Sequence, residues 1–182
     1  MSVRRRLMFK MKTGLLQVYT GDGKGKTTAA LGLALRAAGA GLRVFIAQFI
    51  KRGDYSEIRA LQKYLPQIVC RQYGLGRFIQ GPPAEADIRA AAVGLAELEQ
   101  ALCGGAYDIV IADEANCAVA AGLFGVEQLL HLADIRSSGV ELVITGRGAH
   151  PRLLERADLV TEMRAVKHPY DHGVSARVGV EF

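Results

Sequence analysis

Residues Thr20-Gly21-Asp22-Gly23-Lys24-Gly25-Lys26-Thr27-Thr28 combine the residue types that phosphate binding needs. Glycines at 21, 23 and 25 let the backbone turn tightly and offer successive amide hydrogens to phosphate oxygens. Lys26 supplies a point charge, and the Thr27 hydroxyl suits a magnesium ion that accompanies the phosphates. The first position is Thr20, and the first glycine comes one residue later than in the usual Gly-x-x-x-x-Gly-Lys-Ser/Thr loop. This sets the segment apart from a generic ATPase while keeping its phosphate chemistry. Gly21, Asp22, Gly23, Gly25, Lys26, Thr27 and Thr28 are therefore candidate nucleotide ligands, and Lys24 is either another or a solvated loop charge.

A second constellation is Asp113-Glu114, which follows the apolar run Ile109-Val110-Ile111-Ala112. A buried strand ending in adjacent acids delivers a carboxylate to the edge where a phosphate loop sits, and there it holds magnesium directly or through water. Either acid can be the inner ligand. Successive strand residues point to opposite sides, so the two are not expected to serve equally.

The elements that must position these groups follow from periodicity. Leu15 to Tyr19 reads as a strand, Lys26 to about Ala38 as a helix stopped at Gly39 and Gly41, and Val44 to Phe49 as a second strand. Asp54 and Glu57 have the spacing of a capping box for a helix ending before Pro66. Ile68 to Gln72 forms a third strand, and Pro83 suits the first turn of an Ala-rich helix reaching about Leu102. After the fourth strand at Ile109 come a helix over Val126 to Ile135, a strand over Leu142 to Thr145, a helical turn near Pro151 and a strand over Leu159 to Met163. Apolar strands alternating with helices imply an α/β fold with a mostly parallel central sheet and helices on both faces. Such sheets bind ligands beyond the carboxyl ends of their strands. Residues 1–13 read as a basic arm and 14–182 as a single domain.

Of the 182 residues half are hydrophobic, enough for a sizeable core. The net charge of +5 lies entirely on residues 1–12, which hold Arg4, Arg5, Arg6, Lys10 and Lys12 and no acid. The rest carries 18 basic and 18 acidic residues and lacks the basic balance of a duplex-binding domain, so no nucleic-acid partner is expected. Cys70, Cys103 and Cys117 have neither metal-site spacing nor an even number, which fits a reducing, cytoplasmic setting. No apolar run is long enough to span a bilayer, and no membrane partner is expected. His131, His150 and His172 form no metal spacing with the cysteines.

Taken in order, Val18 to Ala30 with the phosphate loop, Gln48-Phe49-Ile50-Lys51, Asp113-Glu114, Ile144-Thr145-Gly146-Arg147-Gly148, Ala157 to Arg164 and Val166 to Asp171 resemble one family closely. It is the ATP:corrinoid adenosyltransferases with a phosphate-loop fold, acting on cob(I)alamin or cob(I)yrinic acid a,c-diamide, and the likeness covers nearly everything after the arm. The resemblance implies a three-layer phosphate-loop NTPase-like fold and a reaction in which Co(I) of a reduced corrinoid attacks the 5′ carbon of ATP. A cobalt–carbon bond forms and inorganic triphosphate leaves, in adenosylcobalamin biosynthesis or salvage. The loop and Mg2+ then grip a departing triphosphate, and the corrinoid supplies the nucleophile.

On this reading Lys26, Thr27 and Glu114 are catalytic, Thr27 with Glu114 or Asp113 holds magnesium, and Arg147 contacts the nucleotide or caps its loop. Lys167 and His168 lie in a family-like segment or simply form the turn before Pro169. Family members place aromatic side chains against the lower face of the corrin, which makes Phe78, with Tyr73 behind it, the corrinoid candidates. A flavoprotein electron donor and a homodimer are implied as well. The arm either covers bound corrinoid or is a tail. The competing readings are a phosphate-loop small-molecule kinase or NTP hydrolase, and a nucleic-acid-binding module that uses the arm.

Overall fold

The computed structural model of the chain describes residues 11–77, 79 and 81–181. Six strands, β1 (Leu16–Thr20), β2 (Val44–Phe49), β3 (Ile68–Tyr73), β4 (Ile109–Asp113), β5 (Glu141–Thr145) and β6 (Leu159–Glu162), form one sheet in the order β3-β2-β4-β5-β1-β6. Every pairing is parallel, so the sheet is wholly rather than mostly parallel. The helices are α1 (Lys26–Gly39), α2 (Ser56–Tyr64), α3 (Glu85–Cys103), α4 (Ala115–Ala120), α5 (Val126–Ile135) and α6 (Pro151–Arg156). A 3-10 turn spans Pro169–His172.

The pleat sorts strand residues onto two cores. Val18, Phe45, Ala47, Phe49, Val110, Ala112, Leu142 and Ile144 face one cluster, shared with α3, α4, α5 and Leu153 of α6. Val44, Ile46, Ile109, Ile111 and Val143 face the other, closed by α1 and Leu61 of α2. Helix α1 lies close to the sheet because its buried positions Ala30, Ala34, Ala37 and Ala38 recur at helical spacing and are small. Each fully buried large apolar side chain such as Phe49 or Leu142 contributes about 1.5–3 kcal/mol relative to exposure. The interior strands β2, β4 and β5 are buried at every residue, whereas all four residues of the edge strand β6 are exposed.

Local capping departs from expectation in two places. Helix α2 begins at Ser56 after Tyr55, so Asp54 lies outside the cap and pairs with Arg59 instead. Pro83 precedes the N-cap residue Ala84 rather than opening α3, and Asp87 turns back to accept the Ala84 amide at 3.1 Å. Helix α4 has no counterpart in the periodicity. It is one Ala-rich turn and a half, started by Glu114 in a left-handed conformation with φ 59°.

Because all six strands run the same way, the phosphate loop after β1, Lys51 after β2, Asp113-Glu114 at β4 and Arg147 after β5 emerge at one edge. Met11 sits at the opposite, amino edge, where its carbonyl meets Gly139 and the Gly14 amide donates to Ser138. Residues 1–10 of the basic arm lie outside the described residues.

Candidate active site

The phosphate loop is shaped by left-handed Gly21 and Gly25, with φ of 92° and 124°. It leads into α1 through Gly25, so no cap side chain takes the first-turn amides of α1, which like those of any helix have no partner within it. Lys26 is 8% exposed and folds over the loop, donating from Nζ to the Gly21 carbonyl at 2.6 Å and the Gly23 carbonyl at 2.8 Å. Burial, with the Arg147 cation second, holds the Lys26 ammonium below its ordinary range against Glu114, Cys117 and Asp22. Not every loop amide faces the cavity: Gly23 donates to the Met163 carbonyl at 2.7 Å. A Cβ at Gly23 would lie 2.7 Å from the backbone of Met163 and Arg164. This glycine is therefore required by the chain leaving β6 and is not a free phosphate donor.

The acids are held by strand pairing. Asp113 is 1% exposed, and Oδ1 accepts from Thr27 Oγ1 at 2.8 Å and Thr145 Oγ1 at 2.7 Å. Oδ2 accepts from Gln48 Nε2 and Lys51 Nζ, each at 3.1 Å. These donors fill the roughly four lone-pair positions of a carboxylate. Glu114 differs because its left-handed backbone turns it off the strand, its amide donates to Thr145 Oγ1 at 3.0 Å, and its side chain lines the cavity. Alternation along β4 thus stops at Asp113.

Several residues here were not assigned from sequence. Gln48 is fully buried, opposite Asp113 in the β2–β4 register, and accepts from Gln72 at 3.1 Å, which in turn accepts the Gly53 amide at 3.0 Å. The signal for it was a polar residue inside the apolar run Val-Phe-Ile-Ala-Gln-Phe. Lys51 bonds Asp113 and Thr27 and lies 3.6 Å from Glu114. Burial alone would depress its ammonium, but the Asp113 and Glu114 carboxylates outweigh that and raise it. Ile50 before it has φ 65°, and the Lys51 amide donates to the Phe49 carbonyl at 2.6 Å. A left-handed β-branched residue costs about 1–3 kcal/mol and persists only where the surroundings enforce it.

These groups open onto a cavity of about 830 Å3, within the usual range for small-molecule sites. Lys24, Lys26, Lys51, Arg52, Arg77 and Arg147 face it, against Glu57, Glu114 and Glu181. The excess of cations suits a polyanion. Thr27 and Thr28 line it, whereas Gly21 and Asp22 lie behind, the Asp22 carbonyl accepting from Arg147 Nη2 at 3.3 Å. Lys24 also donates to the Val180 carbonyl at 2.8 Å, so it holds the segment before the carboxyl terminus rather than pointing freely into solvent. A second depression, of about 570 Å3, is lined by α5 and α6, and Glu127–Arg152 and Asp134–Arg156 ion pairs cross it.

Comparison with known proteins matches the sequence of residues 12–182 to the ATP:corrinoid adenosyltransferase BtuR/CobO/CobP family. The chain belongs to this family. A corrinoid adenosyltransferase of Pseudomonas aeruginosa is 35% identical over 170 residues, covering 93% of this chain and 84% of that one. One of Escherichia coli is 36% identical over 171 residues, covering 93% and 86%. A third, from a Sinorhizobium species, is 35% identical over 175 residues, covering 93% and 80%.

In this member of the family, the sequence candidates for corrinoid contact fall differently. Tyr73 is 7% exposed and packs on Phe49 with ring centroids 6.0 Å apart, so it supports the core and does not line the cavity. Burial pushes its hydroxyl well above the ordinary phenol range. Phe78 lies outside the described residues. Its neighbours Arg77 and Ile79 line the cavity, and Arg77 is tethered to the buried Asp87 at 2.6 Å. His168 also lines the cavity, with Nδ1 accepting the Tyr170 amide at 3.2 Å, while Lys167 is exposed outside it. Among the described residues no three His, Cys, Asp or Glu side chains gather as a protein-only metal cage. Magnesium does not need one, since it takes one or two protein oxygens together with water and substrate phosphates. The Thr27 hydroxyl and Glu114 carboxylate are hard oxygen donors of that kind. No helix among the described residues is long and apolar enough to cross a membrane.

Proposed function

We propose that the protein transfers the 5′-deoxyadenosyl group of ATP to the Co(I) centre of a reduced corrinoid and releases triphosphate. The observation that carries this reading is the meeting of Lys26 and Thr27, which open α1, with Glu114, which follows β4, on a cation-rich cavity in a chain of this family. The cobalt electron pair forms the bond to C5′, the C5′–O bond breaks, and the oxygen leaves on triphosphate with that bond's electrons. The corrinoid supplies the nucleophile, so the chain's own task is to hold the leaving group. The first-turn amides of α1, Lys26 and Arg147 stabilise the negative charge that gathers on triphosphate as the bond breaks.

Thr27 and Glu114 would hold Mg2+, which supplies Lewis-acid stabilisation of the same charge. Asp113 orients Thr27 through Oδ1, which accepts from both Thr27 and Thr145, and Gln48 holds Oδ2 in place, so Asp113 would act on the metal through Thr27. Arg77 and Ile79, the chain neighbours of Phe78, offer the corrinoid face. Cobalt must arrive as Co(I), so an external reductant is needed. A flavoprotein donor, a homodimeric assembly and a cytoplasmic location belong to the same reading.

Incubation with ATP, Mg2+ and chemically reduced cobalamin is expected to yield adenosylated corrinoid and inorganic triphosphate, followed by chromatography and phosphorus NMR. ADP or pyrophosphate beside unchanged corrinoid would overturn the reading in favour of a small-molecule kinase or NTP hydrolase.

A further inference from the structure

Lys51 stands where a metal ion would be expected. Its Nζ lies 3.2 Å from Thr27 Oγ1, 3.1 Å from Asp113 Oδ2 and 3.6 Å from Glu114 Oε1, touching both candidate magnesium ligands and the carboxylate that orients one of them. The backbone is built for this placement. The chain does not continue β2 but turns at Ile50 through φ 65°. The turn is tucked against Gly74, where a Cβ would lie 2.0 Å from the Ile50 carbonyl oxygen, so only glycine fits beneath it. Lys51 also lines the cavity that Lys26 and Arg147 face, and its four-carbon stem lets the ammonium swing while its backbone stays fixed.

We infer that Lys51 is the resident cation of this centre and exchanges with the divalent ion: in nucleotide-free protein its ammonium neutralises Asp113 and Glu114, and on metal entry it turns out to the polyphosphate. Two cations cannot share one set of oxygens without strong repulsion, so one must leave. Lys51 leaves readily only when a polyanion waits in the cavity to receive it. The centre therefore takes metal weakly alone and well together with triphosphate, which makes metal and nucleotide binding mutually dependent. The second half of this exchange rests on the function proposed above, whereas displacement of Lys51 from the carboxylates does not.

The test measures Mn2+ affinity by electron paramagnetic resonance on nucleotide-free wild type, Lys51→Met and Lys51→Arg. Removing the competing cation is expected to tighten Mn2+ binding about tenfold or more in Lys51→Met, with Lys51→Arg close to wild type. At saturating Mn2+, tripolyphosphate is expected to bind about tenfold more weakly to Lys51→Met. Mn2+ affinity that is unchanged or weaker in Lys51→Met overturns the exchange. A second measurement needs no variant. Acylation of lysines in the wild type, read by mass spectrometry, should label Lys51 more strongly when Mn2+ is added alone, and labelling unchanged at saturating Mn2+ likewise overturns it. Intact exchange in a protein that makes no adenosylated corrinoid would support this inference and defeat the function proposed above. Adenosyl transfer without exchange would do the reverse.

Discussion

Lys26 and the two acids of β4 show how residues of one charge class divide the work. Lys26 packs in neither apolar core, but its truncation removes two hydrogen bonds to loop carbonyls at about 1 kcal/mol each, so Lys26→Ala should still fold, with a thermal midpoint lowered by about 4–8 °C. Its kcat/KM for ATP should fall about 10²–10³-fold, the usual size of losing one positioned donor to a developing anion. Near-wild-type turnover would place the triphosphate elsewhere. Asp113 and Glu114 should separate in the opposite sense. Asp113→Asn puts an amide among four donors in a buried network, a loss of about 3–5 kcal/mol, and a midpoint lowered by about 10 °C is expected in a thermal melt. Glu114→Gln leaves all four hydrogen bonds to Asp113 in place, meeting that network only through the Lys51 ammonium at 3.6 Å, and should melt near wild type while raising the Mg2+ concentration for half-maximal activity about 10–100-fold. If the two variants exchange these phenotypes, Asp113 is the metal ligand. The cysteines separate as well: burial pushes the Cys70 and Cys117 thiols up to about 12, while Cys103 is exposed. A raised thiol pKa leaves only about 10⁻⁴ thiolate at pH 8. Iodoacetamide is therefore expected to modify Cys103 first, as peptide mapping would show.

Among the strands, β6 has the least burial and a large influence on the site. Its register sets Thr20 beside Glu162, and this places Met163 and Arg164 directly against Gly21 and Gly23. The phosphate loop is thus braced from behind by the residues that leave an exposed edge strand. Gly23→Ala would drive a Cβ into that backbone, and overpacking of this kind costs about 1–3 kcal/mol. ATP affinity, measured by calorimetry, should fall with it, because the loop must move off its brace. A variant that binds ATP as wild type does would show the brace to be dispensable. The helix starts at α2 and α3 were misjudged from spacing for a related reason. A capping pattern shows which side chains can reach an amide, but Asp54 had Arg59 as an alternative partner, and Asp87 could supply the Ala84 amide without help from Pro83.

Across the whole molecule, the described base of the arm and the cavity lie at opposite edges of the sheet, with Met11 beside Gly139 and the cavity beyond Thr20 and Asp113. Deleting residues 1–10 is accordingly expected to leave the KM for ATP unchanged. A raised KM for corrinoid would assign the arm to covering that substrate, and an unchanged one would make it a tail. The neutral remainder of the chain agrees with a cavity whose cations are local, gathered from four strand ends rather than spread over a face.

Much of this was legible without coordinates, because buried parallel strands read as apolar runs and a phosphate loop is contiguous. Strand positions, helices α1 and α5, the loop and the Asp113-Glu114 pair are local in the chain, and local pattern suffices for them. The roles within the centre are not local. Gln48 and Lys51 stand in a segment whose likeness to the family was visible, yet their meaning depends on β2 lying beside β4 so that Gln48 faces Asp113. The choice between the two acids depends on a left-handed turn at Glu114, and the limit on Gly23 depends on β6 lying beside β1. The sequence by itself determined which chemistry is present. The tertiary structure decided which atoms perform it, because the order of parallel strands brings together side chains that spacing along the chain cannot relate.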